Sequence, residues 1–160
     1  MAVIGVSQAA AFFQTYSLQV QEDVKTEIEL TTYNIERKAI ALAPSAGENL
    51  PLTSSSGRTQ ANNTNLASFI HGKILPDGYT GEVDVDAQAG NFAAYVEFGT
   101  GDSAAQYVPT LPSEWQQVAR RYYINGKGRL IKKPFLLPAF FEYSAKLPEA
   151  IRKILFDAIR

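Results

Sequence analysis

Apolar residues recur at steps of three and four from Phe13 through Tyr16, Val20, Val24, Ile28, Thr31, Ile35 and Ala39 to Leu42. That spacing is one face of a helix. It predicts a helix over residues 7–42, with Ser7 as its N-cap and Pro44 and Gly47 ending it. Glu22, Asp23, Glu29 and Glu36 fall off the stripe. Lys25–Glu29 and Glu29–Tyr33 are i,i+4 neighbours that support it modestly. Such a helix is about 50–55 Å long. It either lies across a sheet or projects onto another subunit.

The pattern then breaks. Residues 44–64 are nearly all turn formers or small polar residues, which predicts a loop. A loop of that length inside a compact domain orders against a partner or lines an opening. Residues 65–75 regain apolar content, as a strand or a short helix, before a turn at Pro76-Asp77-Gly78. Residues 81–86 alternate, with Val83 and Val85 inward and Glu82, Asp84 and Asp86 outward, as in a half-buried strand. Residues 92–98 fit a helical turn or a strand equally well, and Gly99-Thr100-Gly101 ends them.

Residues 101–112 read as a second loop. Ser113 with Gln116 has the spacing of a capping box for a short helix through Arg121. Residues 122–131 suggest a hairpin about Asn125-Gly126. A closing helix over 139–160 is interrupted or restarted at Pro148, with Ile151, Ile154, Leu155, Ala158 and Ile159 as its apolar face. The expected fold is α+β: a long N-terminal helix and a C-terminal helix packed on a small, mostly antiparallel sheet, with two extended loops.

At 160 residues the chain suits one domain. Its charged fraction of 19% is low, a hint that other subunits cover some of the surface. There is no Cys and one His, His71, so thiol chemistry and His-rich metal centres within one chain are excluded. No apolar run approaches the roughly 18 residues of a membrane span. No Lys or Arg precedes Lys25, so the apolar start lacks the basic region of a signal peptide. A soluble chain with no membrane partner is expected.

The net charge of −1 hides a local asymmetry. Residues 74–119 hold no Lys or Arg and seven acids, among them Asp84, Asp86 and Glu97. Residues 120–133 then hold Arg120, Arg121, Lys127, Arg129, Lys132 and Lys133 and no acid. These are two solvated surfaces, or a basic stretch meeting the acidic stretch of a neighbouring copy, or a basic stretch on DNA phosphates.

Reactive constellations are sparse. Asp84, Asp86 and Glu97 could supply three oxygens to a divalent metal, the basis of a metal-dependent hydrolase reading. The run from Asp84 fails as a calcium loop, with Ala89 at the glycine position and Tyr95 at the twelfth. There is no phosphate-binding glycine loop and no nucleophile elbow. No enzyme activity, metal or cofactor is expected.

Three stretches carry a resemblance: Thr64-Asn65-Leu66-Ala67-Ser68-Phe69-Ile70, then Ala94-Tyr95-Val96-Glu97-Phe98-Gly99-Thr100-Gly101, then Lys133-Pro134-Phe135-Leu136-Leu137-Pro138-Ala139. In this order, with Ala43-Pro44 after the long helix, the chain resembles the tail-completion (neck, head–tail joining) proteins of long-tailed bacteriophages. That family runs Ala-Pro, Thr-Gly-Asn-Leu, Tyr-Val-Glu-Phe-Gly-Thr and Pro-Phe-Leu-x-Pro-Ala. The last two match fully here, whereas the second lacks its Gly and follows a long insertion. On this resemblance, residues 1–160 form one neck domain with insertions at about 44–64 and 102–131.

The resemblance implies a structural virion protein, made in the host bacterial cytoplasm. It would form a ring, with six copies expected, between the head-closure and tail-terminator proteins around the DNA channel. Acidic and basic stretches would then meet between copies, and an acidic lumen would let DNA pass. The alternatives are a tail-terminator or head-closure protein of the same neck, or a DNA-binding module using residues 120–133. The motif residues themselves have structural readings. Gly99 and Gly101 suit a sharp exit. Phe135, Leu136 and Leu137 pack between Pro134 and Pro138, and Glu97 accepts hydrogen bonds at the turn.

Overall fold

The computed structural model describes residues 2–4, 16–45, 49–51, 58–60, 65–89, 91–122 and 127–158. After a short strand β1 (Ala2–Ile4) comes the dominant element, helix α1 (Leu18–Leu42). Its buried residues are Val20, Val24, Ile28, Thr31, Thr32, Ile35 and Ala39, the apolar stripe of the sequence. Ser17 is the N-cap of this helix, its hydroxyl accepting from the Val20 N–H at 3.4 Å. Ser7 and Phe13 lie outside the described residues. With 25 residues the helix is about 37 Å long. Pro44 follows the last turn, which ends as the Ala43 N–H reaches Ala39 O. Lys25 pairs with Glu22 at 2.9 Å and not with Glu29.

The stretch expected as a loop over 44–64 contains a two-stranded antiparallel ribbon, β2 (Asn49–Pro51) with β3 (Arg58–Gln60). Residues 65–75 combine both options: a 3-10 turn (Leu66–Phe69) runs into β4 (Ile70–Ile74). The turn after β4 is held by Asp77, whose carboxylate accepts from the Tyr79 and Thr80 N–H groups at 2.9 and 3.1 Å. It leads into β5 (Gly81–Val85). The sheet order is β1-β5-β4, all antiparallel, with Ala2 opposite Asp84 and His71 opposite Asp84 on the other side.

Helix α1 crosses one face of this sheet at close range. A β-carbon at Gly81 would overlap the Thr32 hydroxyl, so glycine there permits the approach. Val83 and Val85 are buried on that side, while Lys73, Glu82, Asp84 and Asp86 carry the partly exposed charges of the strands.

The second half is more helical than the pattern suggested. Residues 92–98 are helix α2 (Phe92–Phe98). The expected loop over 101–112 is instead helix α3 (Gly101–Tyr107) with a 3-10 turn (Val108–Thr110). Asp102 in its first turn and two alanines favour it locally, which the flanking glycines and prolines masked. Helix α4 (Ser113–Arg120) follows. The capping box does not form: Pro112 is the N-cap, and Gln116 reaches back to Leu111 O at 2.8 Å. The centre of the expected 122–131 hairpin lies outside the described residues. Its described end, 127–131, packs along residues 99–103 as no regular strand.

The closing helix is two helices. α5 (Leu136–Ser144) starts three residues earlier than expected, and α6 (Leu147–Asp157) restarts with Pro148 in its first turn. The main core joins α1, the sheet, α2, α4 and α5 around Phe135, Leu136, Leu137, Leu66 and Ile70. A smaller cluster of Val24, Ile28 and Tyr79 receives Ile151, Ile154 and Leu155 of α6. The fold is α+β. No described helix is long and apolar enough to cross a membrane.

Candidate functional site

The two fully matching motif stretches meet in space. Helix α2 buries Ala93, Ala94, Val96, Glu97 and Phe98. It ends at Gly99, whose φ of 77° and ψ of −174° lie in a region open in practice to glycine alone. A β-carbon at Gly99 would sit 2.6 Å from Ser103 Oγ and 3.0 Å from the Lys132 nitrogen. That proximity shows how tightly the segment before α5 is laced to this corner. Thr100 N–H donates to Leu130 O at 2.9 Å, and the Leu130 N–H returns to Thr100 Oγ1 at 2.8 Å. Ser103 Oγ accepts from Lys132 N–H at 3.0 Å, and Val96 O accepts from Lys133 N–H at 2.8 Å.

Glu97 completes the joint. Its side chain is 0% exposed. Oε2 accepts the Phe135 and Leu136 N–H groups, both at 2.9 Å, and Oε1 accepts that of Leu137 at 3.0 Å. These are the orphan donors at the start of α5, where the helix dipole also favours negative charge. Burial pushes the Glu97 carboxyl above the ordinary carboxylate range, and the three N–H groups hold it back. The Tyr107 hydroxyl is pushed up to about 12 by burial and by the Glu97 charge. Both Glu97 oxygens are engaged and neither meets solvent, so the group acts as a clasp between α2 and α5.

The remaining motif residues take supporting places. Val96, Phe98, Phe135, Leu136 and Leu137 are buried, Tyr95 and Pro134 are half-buried, and Thr100 donates and accepts as above. Gly101, with φ 54°, opens α3. Pro138 is exposed within the first turn of α5, so the buried apolar trio does start between the two prolines.

The acids singled out in the sequence are not brought together. Asp84 pairs with Lys73 at 3.3 Å, and Lys73 also meets Glu82 at 3.2 Å. Asp86 faces His71 at 3.4 Å. Glu97 is turned inward to α5. Among the described residues no group of three or more His, Asp or Glu side chains is placed to hold a metal.

The basic stretch divides. Lys132 is half-buried, its ammonium 4.2 Å from the Tyr107 ring centroid. It lines an open cleft of about 760 Å³ with Asp102, Gln106, Tyr107 and Thr110. Lys133 is half-buried and bound through its backbone. Arg120, Arg121, Lys127 and Arg129 are exposed. Tyr122 borders the same small void as Gly99, and a β-carbon at Gly128 would overlap the Thr100 hydroxyl. The cations before and after residues 123–126 therefore flank one corner of the molecule.

Sequence reasoning missed two features. One is the edge-to-face cluster of Trp115, Phe140 and Phe141, with centroids 5.8 to 6.5 Å apart. The other is the outward face of α1, where Leu30, Tyr33 and Ile40 are exposed. The signal for the second was present: apolar residues three and seven apart, off the buried stripe. No protein-family model, curated protein or solved structure matches this chain.

Proposed function

We propose that the chain is a structural virion protein of a long-tailed bacteriophage. It forms a ring in the neck that joins the head-closure protein to the tail terminator around the DNA channel. The observation that carries this reading is the Glu97 clasp. The motif pair behind the resemblance, Tyr-Val-Glu-Phe-Gly-Thr and Pro-Phe-Leu-x-Pro-Ala, is one physical unit here, since the Glu of the first caps the helix begun by the second. A pair of short motifs that also form a joint is harder to match by accident than two unrelated strings.

The ring acts through shape and charge and requires no reactive side chain. Light scattering on the purified protein tests it. A mass several times the 17.5 kDa of one chain, with ring-shaped particles in negative stain, is the expected result. A monomer at every concentration, alone and with a tail-terminator protein, would overturn it.

A second reading, a DNA-binding module, is favoured by the exposed Arg120, Arg121 and Lys127 at one corner. It requires an affinity for duplex DNA that survives physiological salt and falls steeply as salt rises.

A further inference from the structure

Helix α1 has a second face. Glu22, Leu30, Tyr33, Arg37 and Ile40 lie opposite the buried line at helical spacing. Leu30 and Tyr33 are each 51% exposed and Ile40 is 37% exposed. Single exposed apolar side chains are ordinary. Three along one helix face, with the Arg37 guanidinium donating to the Tyr33 hydroxyl at 3.3 Å, give the apolar centre and Tyr/Arg content of a protein interface. The N-terminal end of the face is acidic: Glu22, Asp23 and Glu29 are exposed. The nearby cation, Lys25, is already held by Glu22.

The matching charge lies in other elements of the same chain. Arg120 and Arg121 end α4, and Lys127 lies beyond on the same corner. Among the described residues no carboxylate comes within ion-pair distance of these three.

We propose that the outward face of α1 is the docking surface for a second copy of this chain. That copy sets its Arg120, Arg121 and Lys127 corner against the acidic end of the face, while Leu30, Tyr33 and Ile40 are covered beside it. The two patches are different surfaces, so the contact is heterologous and leaves each bound copy with one patch free for the next. Such a contact closes into a ring when its rotation closes. The inference rests on the ring reading and names the surface that makes the ring.

The chain has no Cys, so single cysteines report contacts cleanly. Glu29→Cys and Arg121→Cys variants, both at exposed positions, are mixed under oxidised glutathione. The expected product is a mixed 29–121 disulfide, in excess over either self-dimer. A dominant 29–29 dimer would replace the proposal with a symmetric helix-to-helix contact. No cross-link from an otherwise ring-sized wild type would place the subunit contact elsewhere and leave the ring reading standing. A wild type that stays monomeric, with no cross-link, overturns both.

Charge reversal gives a second readout. Glu22→Lys with Glu29→Lys, and separately Arg120→Glu with Arg121→Glu, each lower the assembled fraction at least tenfold with unchanged circular dichroism. Combining all four restores it. Loss of DNA binding by the arginine variant, with its ring mass unchanged, would assign that corner to nucleic acid and end the proposal.

Discussion

Glu97 is a carboxylate placed where almost any other side chain would fail. Glu97→Gln keeps the shape but turns an NH2 group toward backbone N–H donors that have no other partner. A buried donor left unsatisfied costs about 1–3 kcal/mol, and chemical denaturation should show a loss of that size. The pH dependence has a definite sign. Burial raises the native pKa above the ordinary carboxylate value. The folded protein therefore keeps this proton at pH values where the unfolded chain has released it. The stabilisation from that proton is complete below the ordinary carboxylate value and is lost as pH rises through the native one. Wild type should lose stability relative to Glu97→Gln over that window, and parallel pH profiles for the two proteins would refute the assignment. Gly99→Ala is the companion case. Its backbone angles cost a non-glycine residue about 1–3 kcal/mol, and the added carbon crowds Ser103 and Lys132. The denaturation midpoint should fall accordingly, with the slope unchanged.

Among the helices, α1 and α6 sit at opposite ends of a range. α1 buries a residue on nearly every turn, whereas no residue of α6 is fully buried. α6 is held by half-buried Ile151, Ile154 and Leu155 against a small cluster. Amide hydrogen exchange should therefore be faster through 147–157 than through the middle of α1, in line with local opening governed by buried contacts. The same contrast explains what could be read from sequence. A long, strongly periodic element such as α1 was visible, and so was the alternation of Val83 and Val85. Glu97 as an acceptor at a turn was also legible, because a lone acid in an apolar run needs donors. α3 and the β2–β3 ribbon were not legible. Each is too short for periodicity to speak, and glycine, proline and serine beside them read as loop. The start of α5 was missed because its first turn contains Pro138, which is tolerated there since those N–H positions have no partner within the helix. What Glu97 supplies to that turn comes from 38 to 40 residues away, beyond any local pattern.

At the scale of the whole molecule, the charges of the sheet are largely paired, Lys73 with Glu82 and Asp84 and His71 with Asp86, while Arg120, Arg121 and Lys127 stand exposed at the corner near Gly99. If assembly uses that corner, rising salt should weaken it, since exposed charges are screened over about 8–10 Å at physiological ionic strength. Sedimentation at low and high sodium chloride checks this. An assembly indifferent to salt would mean that apolar contacts such as Leu30 and Tyr33 carry it alone.

The clasp also ties residue 97 to residues 135–137 at the base of everything between them. The intervening stretch is therefore a closed excursion whose two ends are joined without a covalent link. Severing the backbone between Tyr122 and Lys127 would leave the cut halves gripping each other through that base and through the core around Phe135. Two separately expressed pieces, broken at that point, should find one another and rebuild the parent spectrum.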